Sequence, residues 1–453
     1  MYRRKEMLGY VFWGLWMSIG MSEETSQFEI AIQQLQHGQF AEAEILLKTI
    51  VEKTPKYTEA WWELGWAEWA QDDFQGSIDA WTKVEQIDPE WKHVKKWLEE
   101  ARVRQSYNVP IFVADIIETT PVGKTFTIAA AGDTMMGTAV KKGEQGLPQG
   151  NGEELFVDVA SIFTNVDVAF VNLEGPIADD HIPVTKCGPT STACYAFRTP
   201  TRYVQALQNI SLDLASLANN HAMDAGEIGL QSTMDILDSV GIAHAGKYGD
   251  VAIIERNGIK IGMLAAHSGL CCLNVNRIGE VTKAIQQLDK IVDVVILSFH
   301  GGAEGNNHRH VPGSLEIAWG EKRGDVKKLA RAAIDAGADL VLGHGPHVLR
   351  AMEVYKERMI VYSLGNFMGY NQFGTQGGFG GTSMIVELEM SANGVLKTAK
   401  IHPILLDERS IPHLDESAMA IQQVQELSDI DFPDTGVLIS KDGTITWNKH
   451  PYI

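Results

Sequence analysis

Apolar and polar positions follow two different periods along the chain. From Phe126 to about Leu406, short apolar runs alternate with stretches in which apolar residues recur at helical spacing. One such unit comprises an apolar run over 292–299, a helical pattern over 325–336 and a second apolar run from Leu340. A buried strand, a helix and another buried strand in succession indicate a parallel crossover. This part of the chain therefore predicts an α/β domain.

A second pattern occupies residues 28–94, where aromatic and small residues recur 34 positions apart, as Phe40 and Phe74 do. This is the period of tetratricopeptide repeats, whose paired helices bury their apolar faces against neighbouring units. We therefore predict a small all-α domain of such repeats. It would either dock a protein partner or serve only as a structural extension.

These patterns divide the chain into four segments. The α/β domain is expected to end with a helix near Glu416 to Leu427 and a hairpin that turns at residues 441–443. The predicted segments are an export signal over 1–22, helical repeats over 26–105, a linker over 106–124 and the α/β domain over 125–453.

The first 22 residues resemble a secretory signal. A basic start at residues 3–5 precedes an apolar run over 8–19, and the small residues Ser18 and Gly20 stand where a signal peptidase would cut. The run is shorter than the roughly 20 residues that a spanning helix needs. An uncleaved signal anchor, associated with a membrane, is the alternative. Either arrangement predicts an extracytoplasmic protein of the periplasm or cell envelope.

The charge composition limits the classes of molecule that the protein can bind. The formal net charge is −20, and the sequence has no basic stripe. A phosphate backbone would be repelled, which argues against nucleic acid as a partner. An anionic small molecule or polymer would need a local positive centre, and a bound metal could supply one.

The four cysteines allow disulfides if the protein is exported. Cys187 and Cys194 close a short loop, and we predict a bridge between them. Cys271 and Cys272 are adjacent, and their pairing stays open. Metal binding is the weaker alternative, because neither spacing matches a zinc pattern.

Polar side chains capable of binding metal stand where five successive apolar runs end. In open α/β sheets, ligands bind outside the carboxyl ends of the strands. Carboxylate, amide and imidazole groups together suit Mn, Fe, Zn or Mg, and two such metals would need about this many ligands. A further run, Met359 to Leu364, ends in Asn366. The residues at the five ends are Asp133; Asn172 and Glu174; Asn219, Asn220, His221 and Asp224; His300; and His344 with His347.

The motifs around these residues are G-D-T-M-M-G at Gly132, N-L-E at Asn172, A-N-N-H-A-M-D at Ala218, H-G-G-A-E at His300, G-H-G-P-H at Gly343 and Y-S-L-G-N-F at Tyr362. In this order they resemble the bacterial capsule-synthesis (CapA, poly-gamma-glutamate biosynthesis) family of the calcineurin-like metallophosphoesterase superfamily. The resemblance covers about residues 126–427. It implies a four-layer α/β/β/α sandwich with a dinuclear metal site between the sheet edges.

The resemblance also implies roles for the matched residues. His221 would be catalytic and protonate a leaving oxygen, and Glu174 would bridge two divalent metals. Outside the matched motifs, Arg198 in the stretch F-R-T-P would either contact an anionic substrate bidentately or form a structural salt bridge. The implied metal ligands are Asp133, Glu174, Asn220, His300, His344 and His347, and the implied substrate or supporting residues are Asn172, Asn219, Asp224 and Asn366.

The superfamily pattern is followed only in part. Asp133 lacks the His two positions later, Glu174 replaces a Gly-Asp-x-x-Asp motif, and two residues rather than one separate His344 from His347. Metal count and ligand identity therefore stay open.

His267 ends another apolar run but matches none of these motifs, and we assign it to the core. His308 and His310 are expected to be solvated rather than to face the substrate.

These observations predict an exported metal-dependent hydrolase of a phosphate ester or phosphodiester, acting in capsule or cell-envelope polymer metabolism. The metals would polarise a phosphoryl oxygen and deprotonate water, and His221 would act as general acid. The alternative is a noncatalytic assembly or export factor for an anionic polymer such as poly-gamma-glutamate, with the repeats docking a partner.

Overall fold

The computed structural model describes residues 23–37, 39–71, 73–106, 121, 123–140, 143–187, 194–269, 271–372 and 379–447. The chain divides into two compact units between residues 113 and 114. The predicted export signal lies outside the described residues, and so does almost all of the predicted linker. No described helix combines the length and apolarity needed to cross a bilayer.

The first unit is helical throughout its described residues. Each α-helix contacts the next one along the chain. The indole of Trp81 packs against Gly65, where an added Cβ would fall 2.2 Å from the ring. The structure shows helix pairs at the predicted period, while their assignment to the tetratricopeptide family stays a prediction. The helices are α1 Glu23–Gln36, α2 Phe40–Lys53, α3 Thr58–Ala70, α4 Phe74–Ile87 and α5 Val94–Ser106, and a 3-10 helix covers Trp91–His93.

The second unit contains two large β-sheets and a small hairpin. Its strands are β1 Thr125–Met135, β2 Val168–Leu173, β3 Leu214–Ser216, β4 Ala243–Ala245, β5 Ala252–Arg256, β6 Ile259–His267, β7 Leu273–Asn274, β8 Val294–His300, β9 Glu316–Ala318, β10 Glu321–Gly324, β11 Leu340–His344, β12 Met352–Tyr355, β13 Arg358–Val361, β14 Asn366–Gly369, β15 Thr382–Ser391, β16 Leu396–Leu406, β17 Pro412–Leu414, β18 Leu438–Ile439 and β19 Thr444–Thr446.

Its described α-helices are α6 Ala160–Thr164, α7 Val204–Asn209, α8 Gly226–Ser239, α9 Ile278–Leu288, α10 Val326–Asp335 and α11 Met419–Asp431. Short 3-10 helices cover Gly143–Gly146, Thr201–Tyr203, Asn306–His308 and Phe379–Gly381.

The larger sheet has the strand order β18-β19-β16-β15-β1-β2-β3-β4, with β14 paired to β1 and β17 to β16. The smaller sheet has the order β12-β13-β11-β8-β6-β5, with β7 paired to β6. Strands β1 to β4 run parallel, and so do β6, β8 and β11. The carboxyl ends of each parallel set therefore lie along one edge of its sheet.

One apolar core lies between the two sheets. It joins Ile128 and Val386 of the larger sheet to Ile261, Ile296 and Leu340 of the smaller one. A second core buries the other face of the larger sheet under α6, α7 and α8, while α9 and α10 contact the smaller sheet. These layers confirm the predicted α/β/β/α sandwich.

The crossover from β8 through α10 to β11 is the unit that the periodicity predicted. Asp325 caps α10 by accepting a hydrogen bond from the amide of Lys328 at 3.0 Å. The apolar residues that recur at helical spacing along α10 are all buried, namely Val326, Leu329, Ala330, Ala333 and Ile334. The predicted C-terminal helix and hairpin are also present, as α11 and the β18–β19 pair.

Asn366 lies in a different element from the one predicted. The apolar run over 359–364 is not one strand, because β13 ends at Val361 and the chain crosses to the larger sheet. There Asn366 begins β14 and pairs with Asp133 of β1. The crossing brings the carbonyl of Gly365 against Gly132, where a Cβ would fall 1.9 Å from that oxygen. Only glycine at 132 allows this approach.

A disulfide joins Cys187 and Cys194, as predicted. Cys271 and Cys272 are both thiols, and their Sγ atoms lie 3.3 Å apart.

Candidate metal centre

The centre lies where the strand ends of the two sheets meet. Asp133 of β1 stands opposite Asn172 of β2, and His300 of β8 stands opposite His344 of β11. The larger sheet thus contributes Asp133 and Asn172, with Glu174 just beyond the end of β2, and the smaller sheet contributes the strand-end imidazoles.

Asp133 is fully buried and lies close to three histidines of the centre. Its Oδ1 lies 3.8 Å from Nδ1 of His300 and 3.7 Å from Nδ1 of His344. Its Oδ2 lies 3.0 Å from Nδ1 of His347. Asp133, Glu174 and His347 each offer a ligand atom within 4.8 Å of the others, which is close enough for one cation to bind all three.

Several oxygen and nitrogen atoms that could bind a metal are buried without a hydrogen-bond partner among the described residues. These atoms are the two carboxylate oxygens of Glu174, Nε2 of His300, the two ring nitrogens of His344 and Oδ1 of Asn220. Each such atom costs about 1–3 kcal/mol when it stays unpaired. Carboxylate, amide oxygen and imidazole are all ligands of divalent metals. The donor set therefore fits a divalent metal centre.

Burial keeps the strand-end histidines neutral, which is the form that binds metal. It lowers the pKa of His344 to about 4 and lowers the pKa of His300 well below its usual value. In His300 the nearby positive Arg323 adds to this effect.

In the cluster of Asp133, Glu174 and His347, both burial and the neighbouring charges set the pKa values. Burial raises the pKa of Glu174 to about 8, although His347 opposes that rise. Burial would lower the pKa of His347, but Glu174 and Asp133 outweigh it and raise that pKa to about 10. Burial would also raise the pKa of Asp133, but its hydrogen bond to His347 is among the contacts that lower it. A protonated His347 thus supplies the positive charge that a divalent cation would supply when bound.

His221 adjoins this cluster with a defined orientation. Its Nδ1 lies 2.6 Å from Oδ2 of Asp224, and its Nε2 lies 3.9 Å from Oε1 of Glu174. The short contact assigns the Nδ1 proton to a bond with Asp224, which leaves an electron pair on Nε2. Burial lowers the pKa of His221, so the ring is neutral near pH 7. His221 must therefore take up a proton at Nε2 before it can act as an acid.

The predicted supporting residues orient the donors. Asn172 donates to Oδ1 of Asp133 at 2.7 Å. Asn219 donates to the carbonyl of Leu173 at 2.8 Å and accepts from the amide of His221 at 3.1 Å. Oδ1 of Asn366 lies 2.9 Å from Nδ1 of His347.

Arg198 shows the structural salt bridge that was one of its two predicted roles. Its guanidinium donates to the carboxylate of Asp180 at 2.5 Å and to the carbonyl of Ile182 at 2.8 Å. The exposed His308 and His310 are solvated, and Nδ1 of His310 lies 2.8 Å from the carboxylate of Asp431.

Sequence reasoning missed two neighbours of the centre. His267, assigned to the core, stands beside His300 in register, and its Nδ1 lies 3.1 Å from the His300 carbonyl. Its position at a strand end was a usable signal. Lys186 lies against His221 and Asp224. Lys186 belongs to no periodic pattern, so only the fold reveals its place.

Residues 127–371 match the family described as "Bacterial capsule synthesis protein PGA_cap". The chain is 29% identical over 271 residues to the PGA biosynthesis protein CapA of Bacillus subtilis (strain 168), covering 55% of this chain and 66% of that protein. It is 28% identical over 263 residues to the capsule biosynthesis protein CapA of Bacillus anthracis, covering 53% and 59%. The chain thus spans slightly less than two thirds of the length of these relatives.

A solved structure that resembles the chain is a 5'-nucleotidase precursor from Thermus thermophilus. The TM-score is 0.34 at 12% identity, and the match covers 67% of this chain and 59% of that one. The α/β/β/α assignment rests on the sheets and helices of this chain itself.

Proposed function

The chain belongs to the bacterial capsule synthesis protein family PGA_cap, and we propose that it is an exported, divalent-metal-dependent hydrolase. Its substrate would be a phosphate ester or phosphodiester of capsule or cell-envelope polymer metabolism. One observation carries this proposal: metal-binding atoms of Glu174, His300 and His344 are buried in one place without hydrogen-bond partners among the described residues.

The metal ligands would be Asp133, Glu174 and His347, together with His300, His344 and Asn220. A bound divalent cation supplies polarisation of the phosphoryl oxygen and acidification of a water. Asn172 and Asn366 orient the ligands through their bonds to Asp133 and His347.

His221 would move the proton. It is held in one orientation by Asp224 at Nδ1 and by the ring of Phe197, whose centroid lies 4.1 Å away. Its Nε2, which faces Glu174, can take up a proton from solvent and deliver that proton to the leaving oxygen. The Asp224 carboxylate stabilises the imidazolium formed in between.

The proposal is tested by turnover of aryl phosphates and phosphodiesters with leaving groups of graded pKa, in the presence of Mn, Zn or Mg. The His221→Ala variant should keep its metal and lose rate by about 10²–10⁴-fold, because it lacks the acid. The loss should shrink for good leaving groups, which need little protonation. A wild-type protein that is loaded with metal and hydrolyses none of these esters would contradict the proposal.

A second candidate function follows from the relatives, which are named for PGA and capsule biosynthesis. In this alternative the α/β unit binds an anionic polymer without hydrolysing it, and the helical repeats dock a partner protein. Polymer binding that persists in His221→Ala, together with an absence of turnover in the wild type, would favour it.

A further inference from the structure

The two segments that flank the Cys187–Cys194 bridge both contact the His221–Asp224 pair. On the Cys187 side, the amides of Thr185 and Lys186 both donate to the backbone carbonyl of Asp224, at 2.8 and 3.2 Å. This segment is therefore fixed to the turn that carries His221 and Asp224.

The side chain of Lys186 strengthens this attachment. Its ammonium lies 2.9 Å from Oδ1 of Asp224 and donates to the carbonyl of Asn220 at 2.8 Å. It also lies 3.1 Å from Nδ1 of His221. Because Asp224 is fully buried, this ammonium is an important partner of the carboxylate, and its removal would leave the charge poorly compensated.

The Cys194 side holds the same pair through Phe197. The Phe197 amide donates to Oδ2 of Asp224 at 2.7 Å, the oxygen that also contacts His221. The Phe197 ring stacks on the imidazole, with an angle of 26° between the two planes. The imidazole thus contacts a ring from one side of the bridge and an ammonium from the other.

We propose that Lys186 and Phe197 are positioning residues for His221, and that the Cys187–Cys194 bridge keeps both in place. The proposal rests on the proposed function, because it assumes that His221 acts in turnover. The bridge limits the separation of the two segments, so it favours the arrangement in which both contact Asp224. Full activity then requires the bridge to be formed, as it would be in an oxidising compartment.

The first test changes Lys186. In Lys186→Met, which keeps the aliphatic stem, kcat should fall by about 10- to 100-fold with KM nearly unchanged, since misorientation affects the chemical step. Lys186→Arg should recover most of the loss. The matched control is Lys356→Met, which removes a surface ammonium that pairs with Asp335 and should leave kcat unchanged. Thermal melts establish that each variant is folded at the assay temperature.

The second test reduces the bridge with tris(2-carboxyethyl)phosphine. The phosphine gains an oxygen from water and becomes its oxide, while the S–S bond breaks and the two cysteines each gain a hydrogen. Turnover of wild type should fall by about 10-fold and return on reoxidation, at constant metal content. The double variant Cys187→Ser/Cys194→Ser should be slow and insensitive to the phosphine. Cys271→Ser, which leaves the bridge intact, should respond as the wild type does.

A third measurement does not depend on turnover. In protein with ¹⁵N-labelled histidine, the Nδ1 proton shared with Asp224 should give a downfield signal that His221→Ala lacks. Reduction of the bridge and Lys186→Met should each shift or broaden it. If this signal responds but no ester is hydrolysed, the proposed function fails and the positioning role stands. If turnover and signal are both unchanged in Lys186→Met and in reduced protein, the positioning proposal is wrong.

Discussion

At the scale of single residues, the candidate centre depends on how burial and neighbouring charges set each protonation state. His300 and His344 are neutral, which is the form that binds metal, whereas the pKa values of Glu174 and His347 are both raised, so that this pair retains a proton near neutral pH. A cation must displace that proton, because only the deprotonated forms are ligands.

This difference predicts how metal binding depends on pH. The raised pKa values, about 8 for Glu174 and about 10 for His347, mean that affinity should rise between pH 6 and pH 9 as deprotonation becomes easier. Each binding event should release protons. Titration calorimetry in buffers of different ionisation enthalpy measures that release. A metal affinity that stays constant over this range, with no proton release, would rule out this assignment of charges.

At the scale of elements, the close approach of β1 and β14 fixes Asp133. A Cβ at Gly132 would overlap the Gly365 carbonyl, which also accepts the amide hydrogen bond of Asp133 at 3.0 Å. Gly132→Ala should therefore displace the metal-binding carboxylate and weaken metal affinity by roughly 10- to 100-fold, with a lower melting temperature. The matched control is Gly279→Ala, where an added Cβ meets nothing within 4 Å. Equal metal affinity in the two variants would contradict the role of this contact.

A second prediction at this scale concerns Glu68 of helix α3. Burial raises its pKa to about 7, although the ion pair with Lys48 opposes that rise. A carboxyl whose pKa is raised by folding stabilises the folded state below its unfolded pKa, and this contribution is lost as pH rises through 7. The melting temperature of the helical unit, followed by tryptophan fluorescence, should therefore fall between pH 5 and pH 8. In Glu68→Gln that fall should be smaller, and an identical fall in both proteins would contradict the prediction.

The elements differ in how well the sequence predicts them. The crossover β8–α10–β11 was predictable, because helical spacing and apolar runs are local properties of the chain. The transfer of the chain from β13 to β14 was not, because it depends on pairing with β1, more than two hundred residues earlier in sequence. The position of Lys186 was hidden for the same reason, since its contacts join a loop to a distant turn.

At the scale of the whole molecule, the α/β/β/α order follows from two parallel strand sets whose helices cover opposite outer faces. The donors of the centre come from both sheets, so the site exists only when the sandwich is assembled. The motifs indicated which residue types would meet there, while the distances around Asp133 required the fold. Because the net charge is −20, the proposed anionic substrate would need a local cation in order to bind.

The central claim is that these residues hold divalent metal, and elemental analysis of full-length protein tests it most directly. Protein purified without chelator and loaded with Mn, Fe, Zn or Mg should retain about one to two metal ions per chain. Asp133→Ala should retain less than about a tenth of that, since it lacks the carboxylate shared by the cluster. Asp335→Ala, which removes a surface carboxylate that pairs with Lys356, should match the wild type. A wild-type protein without stoichiometric metal under every loading condition would contradict the account.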